Sequence, residues 1–464
     1  MSLTKVSYSM IRGTFVNVLD FGADPTGNTD STAAIQAAID SVPNAANSYC
    51  PSKTSGGAGE IDVIFPEGSY IVNSCLIVNQ RGWQRLIGIG RVIIYSGSTT
   101  YVVDMSSTFR CGIENIDFVS STAGVGLYMS RCTSNPFTVF NEFRNVSFQM
   151  NTGTTANGGI GAVALYMDRI EQNLFYNCVF NGDCCLYNTP TALVPFPPAS
   201  GTQDTTTNSN TINTFIGCNF TKNGSYQFGV ILKTATAFRF FNCYWNDREV
   251  TSGSVPYIFS LDGISECFLQ GNFDQLIRLA LVQGSNYYNS FDLLLPTASI
   301  DTCVFNFDVA GTHDMALSDF KIFTSGSNAG LSLFLQTLGT SNVLIRGNKI
   351  NTISTLAISS GSNITLSNNL FSTEGSLSFV GSNVSSTGGI VAFSQTSPAA
   401  GGTGNAGLTV SSVANLGVFV GSGAPTISAA QGALYLNTTG SSTTTRLYIN
   451  TNGSTGWTSV TTAT

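Results

Sequence analysis

Residues 15–40 read FVNVLDFGADPTGNTDSTAAIQAAID, and residues 56–72 read GGAGEIDVIFPEGSYIV. The first stretch predicts a short strand (Phe15–Phe21), a Gly/Asp/Pro turn (Gly22–Asn28) and then a helix. Asp30 is placed to cap that helix by accepting a backbone N–H bond. Ala34, Ile35, Ala38, Ile39 and Val42 recur at helical spacing and so share one apolar face. Such a face must bury against something outside the helix. The second stretch is a strand that ends in Phe-Pro-Glu-Gly-Ser-Tyr-Ile-Val, residues 65–72.

Outward from this opening, the composition argues for one long repetitive body. The chain has 464 residues, which by length alone would make about three ordinary domains. Only 10% of residues are charged, well below the usual quarter, and 48 are Gly. Few charges with many turn and β-branched residues suit strands whose surfaces are stacked or covered. The net charge of −7 speaks against nucleic acid, which needs clustered Lys and Arg. No run of 18 apolar residues exists, so membrane insertion is not expected. The N-terminal MSLTKVSYSMIRGTFV lacks the apolar core and cleavage site of a signal peptide, so synthesis in a cytoplasm with reduced thiols is expected. Of the eleven cysteines, Cys178, Cys218 and Cys243 recur at one repeat position, and Cys184 and Cys185 are adjacent. Without a CxxC pair, this pattern predicts a stacked interior ladder rather than a disulfide framework or a metal site. No cofactor is expected. The lone His313 reads as structural.

A strand motif, apolar–x–Asn/Gly–x–x–Phe, keeps returning: Ile113 to Phe118, Phe143 to Phe148, Tyr176 to Phe180, Ile216 to Phe220, Phe241 to Trp245 and Leu269 to Phe273. Its central residues (115, 145, 177, 217, 242, 270) are spaced 30, 32, 40, 25 and 28 apart. Such periods mean a solenoid, in which each coil covers the apolar face of the last. Asn fits the sharp corners because it tolerates left-handed backbone, and the Phe column fills the interior. Leu127-Tyr-Met-Ser-Arg131 and Leu165-Tyr-Met-Asp-Arg169 form a second repeated pair. The expected organisation is a short N-terminal anchor (1–14), an opening segment with a capping helix (15–75) and a coil body (76–290). Later coils or a β-prism (291–394) follow, then a linker and C-terminal β module (395–464).

The order strand, turn, capped helix, FPEGSYIV resembles the opening of the pectate-lyase-like superfamily of right-handed parallel β-helices, and within it bacteriophage tailspikes and polysaccharide depolymerases. The C-terminal GAPTISAAQGALYLNTTGSSTTTRLYINTNGSTGWTSV resembles tails of phage fibre and spike proteins. The resemblance implies an all-β homotrimer carried on the virion, docked through a phage tail or baseplate adaptor protein. It also implies binding and cleavage of a bacterial surface polysaccharide, capsule or O-antigen. It does not transfer a catalytic set. The Asp-Asp, Gly-His-Gly and Arg-Ile-Lys motifs of polygalacturonases are absent, as is the Asp cluster by which pectate lyases hold calcium.

Glycoside hydrolysis needs two carboxylates, about 5 Å apart when retaining and about 6.5–9.5 Å apart when inverting. Coils stacked about 4.8 Å apart can supply either. Two clusters offer candidates. One is Asp247 and Glu249 with Asp274 one coil on, where Arg248, Lys222, Asp183, Tyr244 and Trp245 are expected to hold substrate. The other is Asp168 and Glu171 with Arg169. For each, a solvated corner or a turn salt bridge is the alternative, and for Trp245 the alternative is a buried place in the Phe column. Hydrolysis is favoured over lyase chemistry. A fibre that binds without cleaving is the rival function.

Overall fold

In the computed structural model the described residues are 15–42, 61–97, 100–122, 124–132, 138–150, 161–189, 210–223, 226–247, 257–273, 278–283, 286–295, strands between 303 and 387, 407–409 and 416–463. They form two units, residues 1–392 and 393–464.

The first unit is a solenoid of parallel strands. Each coil crosses three sheets. In one coil these are Glu142–Arg144, Ser147–Met150 and Val163–Met167, and in the next Leu174–Tyr176, Val179–Gly182 and Cys184–Asn188. Each strand pairs in register with its counterpart one coil on, as in Phe143↔Phe175 and Leu165↔Leu186. Parallel pairing continues through Leu377–Thr387. This is the expected β-helix.

Between the first and second sheets the chain turns at Asn115, Asn145, Asn177, Gly217 and Asn242, all with positive φ. Asn145 donates through Nδ2 to Asn115 Oδ1 at 2.9 Å, and Asn177 to Asn145 at 2.8 Å. The expected Asn corner is present, and its Asn side chains also bond from coil to coil. The last expected copy differs. Phe240 stands opposite Leu269 but Cys243 opposite Gly271, so one residue is lost and the corner is not repeated at Gln270. Gly271 is forced here. A Cβ would lie 1.9 Å from Cys243 O and 2.6 Å from the Trp245 ring.

The interior is a set of columns. Phe118, Phe148, Phe180, Phe220 and Trp245 are in register along the second sheet. Cys178, Cys218 and Cys243 lie buried beside them as free thiols, their Sγ within reach of backbone carbonyls.

The opening segment departs from expectation in detail. The strand is only Val16–Asn17, because the Asn17 side chain accepts the Leu19 N–H at 2.9 Å and starts a 3-10 turn, Val18–Phe21. The end of the expected turn, Thr26 to Asn28, instead lies in a strand, Thr26–Asp30, paired with Gly68–Val72. Asp24 organises the bend by accepting N–H bonds from Thr26, Asn28 and Thr29. Those bonds, led by the Thr26 hydroxyl, hold its carboxyl well below the usual value. The helix α1 (Thr32–Ser41) has Ser31 as its cap residue, and Asp30 accepts the Thr32 N–H at 2.9 Å. Ile35, Ala38 and Ile39 are buried in the same core as the first coils, as the spacing predicted. Gln84 and Arg81 side chains donate to Ile39 O, satisfying a carbonyl at the helix end.

In the second unit, strands Gly407–Thr409, Gly417–Gly421, Leu434–Asn437, Leu447–Asn450 and Trp457–Val460 form one sheet. Phe419, Ala433, Tyr435 and Trp457 pack on it, and Trp457 Nε1–H donates to Ile427 O at 2.8 Å.

Candidate functional site

The third sheet concentrates the charged candidates along its two edges. Its strands alternate, so Leu127, Met129, Leu165, Met167 and Leu186 enter the core while Tyr128, Tyr166 and Tyr187 point to the outer face. There the tyrosine rings stack, Tyr128 on Tyr166 at 4.8 Å and Tyr166 on Tyr187 at 5.7 Å. These residues are buried, so this sheet is covered on both faces. The two Leu-Tyr-Met repeats are in register as expected. Leu186-Tyr187 is a third copy that lacks the Met and so escaped the pattern. Burial first, then the neighbouring Tyr166, Asp168 and Asp104, pushes the Tyr128 phenol well above its ordinary value. Asp104, also missed in the sequence, is fully buried in register with Tyr128. It accepts from Ser106 N–H at 2.9 Å and Asn79 Nδ2–H at 3.2 Å.

The trailing edge of this sheet carries the second cluster. Arg169 NH1 donates to both Asp168 oxygens at 2.8 and 2.6 Å, and Ser130 Oγ–H donates to Oδ2 at 3.1 Å. Asp168 is 0% exposed and Arg169 4%. A glycan therefore has no access to either in this structure, and the expectation of Asp168 as a catalytic group and Arg169 as a substrate contact is corrected to a buried structural ion pair. Glu171 is one third exposed and accepts from Arg131 NH2 at 2.5 Å.

The leading edge carries the other set. Lys222 stands in register between Gly182 of the previous coil and Asp247 of the next. Its side chain is buried, as is Asp183, which accepts the Ala162 N–H at 2.7 Å. That burial speaks against direct sugar contact through Lys222 or Asp183. Trp245 is 1% exposed and stacks on Phe220, so of its two readings the buried place in the Phe column holds and the sugar platform does not. Tyr244, one residue earlier, is half-buried. Asp247 ends its strand, while Arg248, Glu249 and Asp274 lie outside the described residues. Among the described residues no group of three His, Cys, Asp or Glu side chains is arranged to hold a metal ion. No helix there is long and apolar enough to cross a membrane.

The architecture defines the protein as a parallel β-helix solenoid. Residues 15–244 match the family described as "Rhamnogalacturonase A/epimerase, pectate lyase-like". A probable glucan endo-1,3-beta-glucosidase of Arthroderma benhamiae is 30% identical over 189 residues, which span 36% of this chain and a fifth (20%) of that protein. Among solved structures, the gp42 tailspike of an Acinetobacter phage is 12% identical with a TM-score of 0.49, over 96% of this chain and 76% of that one. The surface adhesin PfbA of Streptococcus pneumoniae is 13% identical with a TM-score of 0.42, over 96% and 100%.

Proposed function

We propose that this protein is a phage-type spike that binds a bacterial surface polysaccharide and cleaves it by glycoside hydrolysis. One observation carries the reading: Asp247 lies in register beside the buried Lys222, at the edge of stacked coils just past the segment, residues 15–244, that matches the pectate-lyase-like family. The glucosidase relative points to the same chemistry. Carboxylates on neighbouring or next-but-one coils are roughly 5–10 Å apart, a range that spans retaining and inverting hydrolysis. Asp247 acts with Glu249 or Asp274 as the carboxylate pair, and Arg248 and Tyr244 hold the sugar. Lys222 and Asp183 position the edge from beneath. The spike works as a homotrimer attached to the phage tail or its adaptor.

A purified chain incubated with capsular and O-antigen polysaccharides from a strain panel tests this by size-exclusion chromatography and mass spectrometry. Repeat-unit fragments that carry added water support hydrolysis, and an unsaturated ultraviolet-absorbing end means a lyase. Binding without fragments supports the second reading, a receptor-binding fibre, which the burial of Asp168 and Asp183 favours.

A further inference from the structure

The solenoid has a second line of left-handed residues with a different chemistry. Trp83, Arg110, Phe140, Gln172 and Ile212 have φ of 62°, 51°, 59°, 55° and 56°. They occupy one corner in successive coils, because each follows a residue in the bridge series Gly82↔Phe109↔Val139↔Glu171↔Thr211. The Asn corner shows which residues this backbone accepts at little cost. Bulky, β-branched and aromatic residues are outliers there, and Trp83 and Phe140 each meet Phe109 edge-on with ring centroids 5.8 Å apart. Phe140 is 41% and Ile212 44% exposed, and Arg110 is exposed as well. Strain held in a row, with large side chains turned outward, is a feature of binding surfaces.

The chemistry of the row is specific. The Arg110 guanidinium lies 4.7 Å above the Trp83 ring and within 6 Å of Phe109 and Phe140. Among the described residues, no carboxylate is within ion-pair distance of it. A guanidinium stacked by its face keeps its in-plane N–H donors for a partner. Other surface arginines nearby are paired, Arg85 with Asp62 and Arg144 with Glu142.

We infer that this corner is a binding track for an anionic polysaccharide, separate from the proposed cleavage edge. The uronate or similar carboxylates would meet Arg110, and the sugar faces would meet Phe140 and Trp83. The inference rests on the polysaccharide reading above for the class of ligand.

The test is affinity electrophoresis of the full chain in gels containing polygalacturonate, alginate or hyaluronate, with neutral dextran as control. It compares wild type with Arg110→Lys and with the double variant Arg110→Asn/Phe140→Asn. Asn suits the left-handed backbone, so the double variant is expected to keep or raise the melting temperature while its apparent dissociation constant for the acidic polymer rises at least tenfold. Arg110→Lys is expected to fall between. Four results overturn the track: no retardation of the wild type by any acidic polymer, equal retardation of the double variant, a large fall in its melting temperature, or a changed oligomeric state by sedimentation. The last would make the corner a contact between copies. Fragment release is measured on the same samples. Equal release with unchanged retardation removes the track and leaves the depolymerase. Retardation lost in the variant, with no release by either protein, does the reverse.

Discussion

Trp245 stacks on Phe220 with ring centroids 6.0 Å apart and planes 12° from parallel. The larger ring is accommodated because the next coil presents Gly271 beneath it. Replacing Trp245 with Ala should remove about 3–5 kcal/mol of stability, the usual loss for a fully buried large aromatic. Trp245→Phe, which restores the residue used by the neighbouring coils, should cost less than about 1.5 kcal/mol. Gly271→Ala should destabilise even though it adds only a methyl, since backbone lies in its way. Denaturant unfolding checks all three. If Trp245→Ala left stability intact but abolished glycan binding, the ring would be a binding platform after all.

The Asn corner separates conformation from side-chain bonding. Asn145 has φ of 52° and takes part in hydrogen bonds with Asn115 and Asn177. Asn145→Gly keeps the backbone and loses the bonds, which are solvent-exposed, so it should cost about 1 kcal/mol or less. Asn145→Ala adds the left-handed penalty of about 1–2 kcal/mol. The order wild type, Gly, Ala in unfolding midpoint is the expected result, and Ala equal to Gly would refute the conformational part.

What was legible in the chain follows from what repeats. The Phe, Cys and Asn columns recur with a fixed residue type, so the coil and its register could be read directly. Burial of Asp168, Asp183 and Lys222 could not, because it depends on what covers the outer face of the third sheet, and hydrophilic side chains carry no sign of that. The Trp83–Ile212 corner was invisible for a related reason. Its backbone is left-handed in every coil, yet none of its residues is the Gly or Asn that signals such a turn. Asp104 sits one coil below Tyr128 in a strand that shares no Leu-Tyr pair, so no repeat pointed to it.

The two carboxylate clusters should respond oppositely to isosteric change. Removing one partner of the buried Asp168–Arg169 pair leaves the other charge without compensation, and Arg169→Ala should therefore cost about 3–5 kcal/mol. Asp168→Asn should also destabilise, while the fraction that remains folded cleaves at the normal rate. Asp247→Asn should leave the melting temperature nearly unchanged and lower kcat by about 100-fold or more, the scale of a lost acid–base group. Calorimetry together with fragment release distinguishes them. A stable Asp168→Asn protein without activity would reverse the assignment.

Stability should also fall at both ends of the pH scale, for identifiable reasons. At the acid end, the Asp24 carboxyl is held below its ordinary 3.8 chiefly by bonds from Thr26 and Thr29. A depressed carboxylate contributes stability that is present above its unfolded value and is lost as pH falls through the folded one. Asp24→Ala should therefore be less stable than wild type at pH 7, and the difference should shrink progressively as pH falls below roughly 4 towards the depressed folded value. At the alkaline end, burial raises Tyr101 to about 12 and Tyr128 and Tyr187 further. A raised phenol contributes stability fully present below its unfolded value of about 10 and lost as pH climbs through the folded one. Tyrosinate absorbance should then show the stacked group ionising only above the ordinary phenol value of about 10, together with loss of the β-sheet circular dichroism. Ionisation of every tyrosine near pH 10 with the sheet intact would mean that the outer face of the third sheet is open to water.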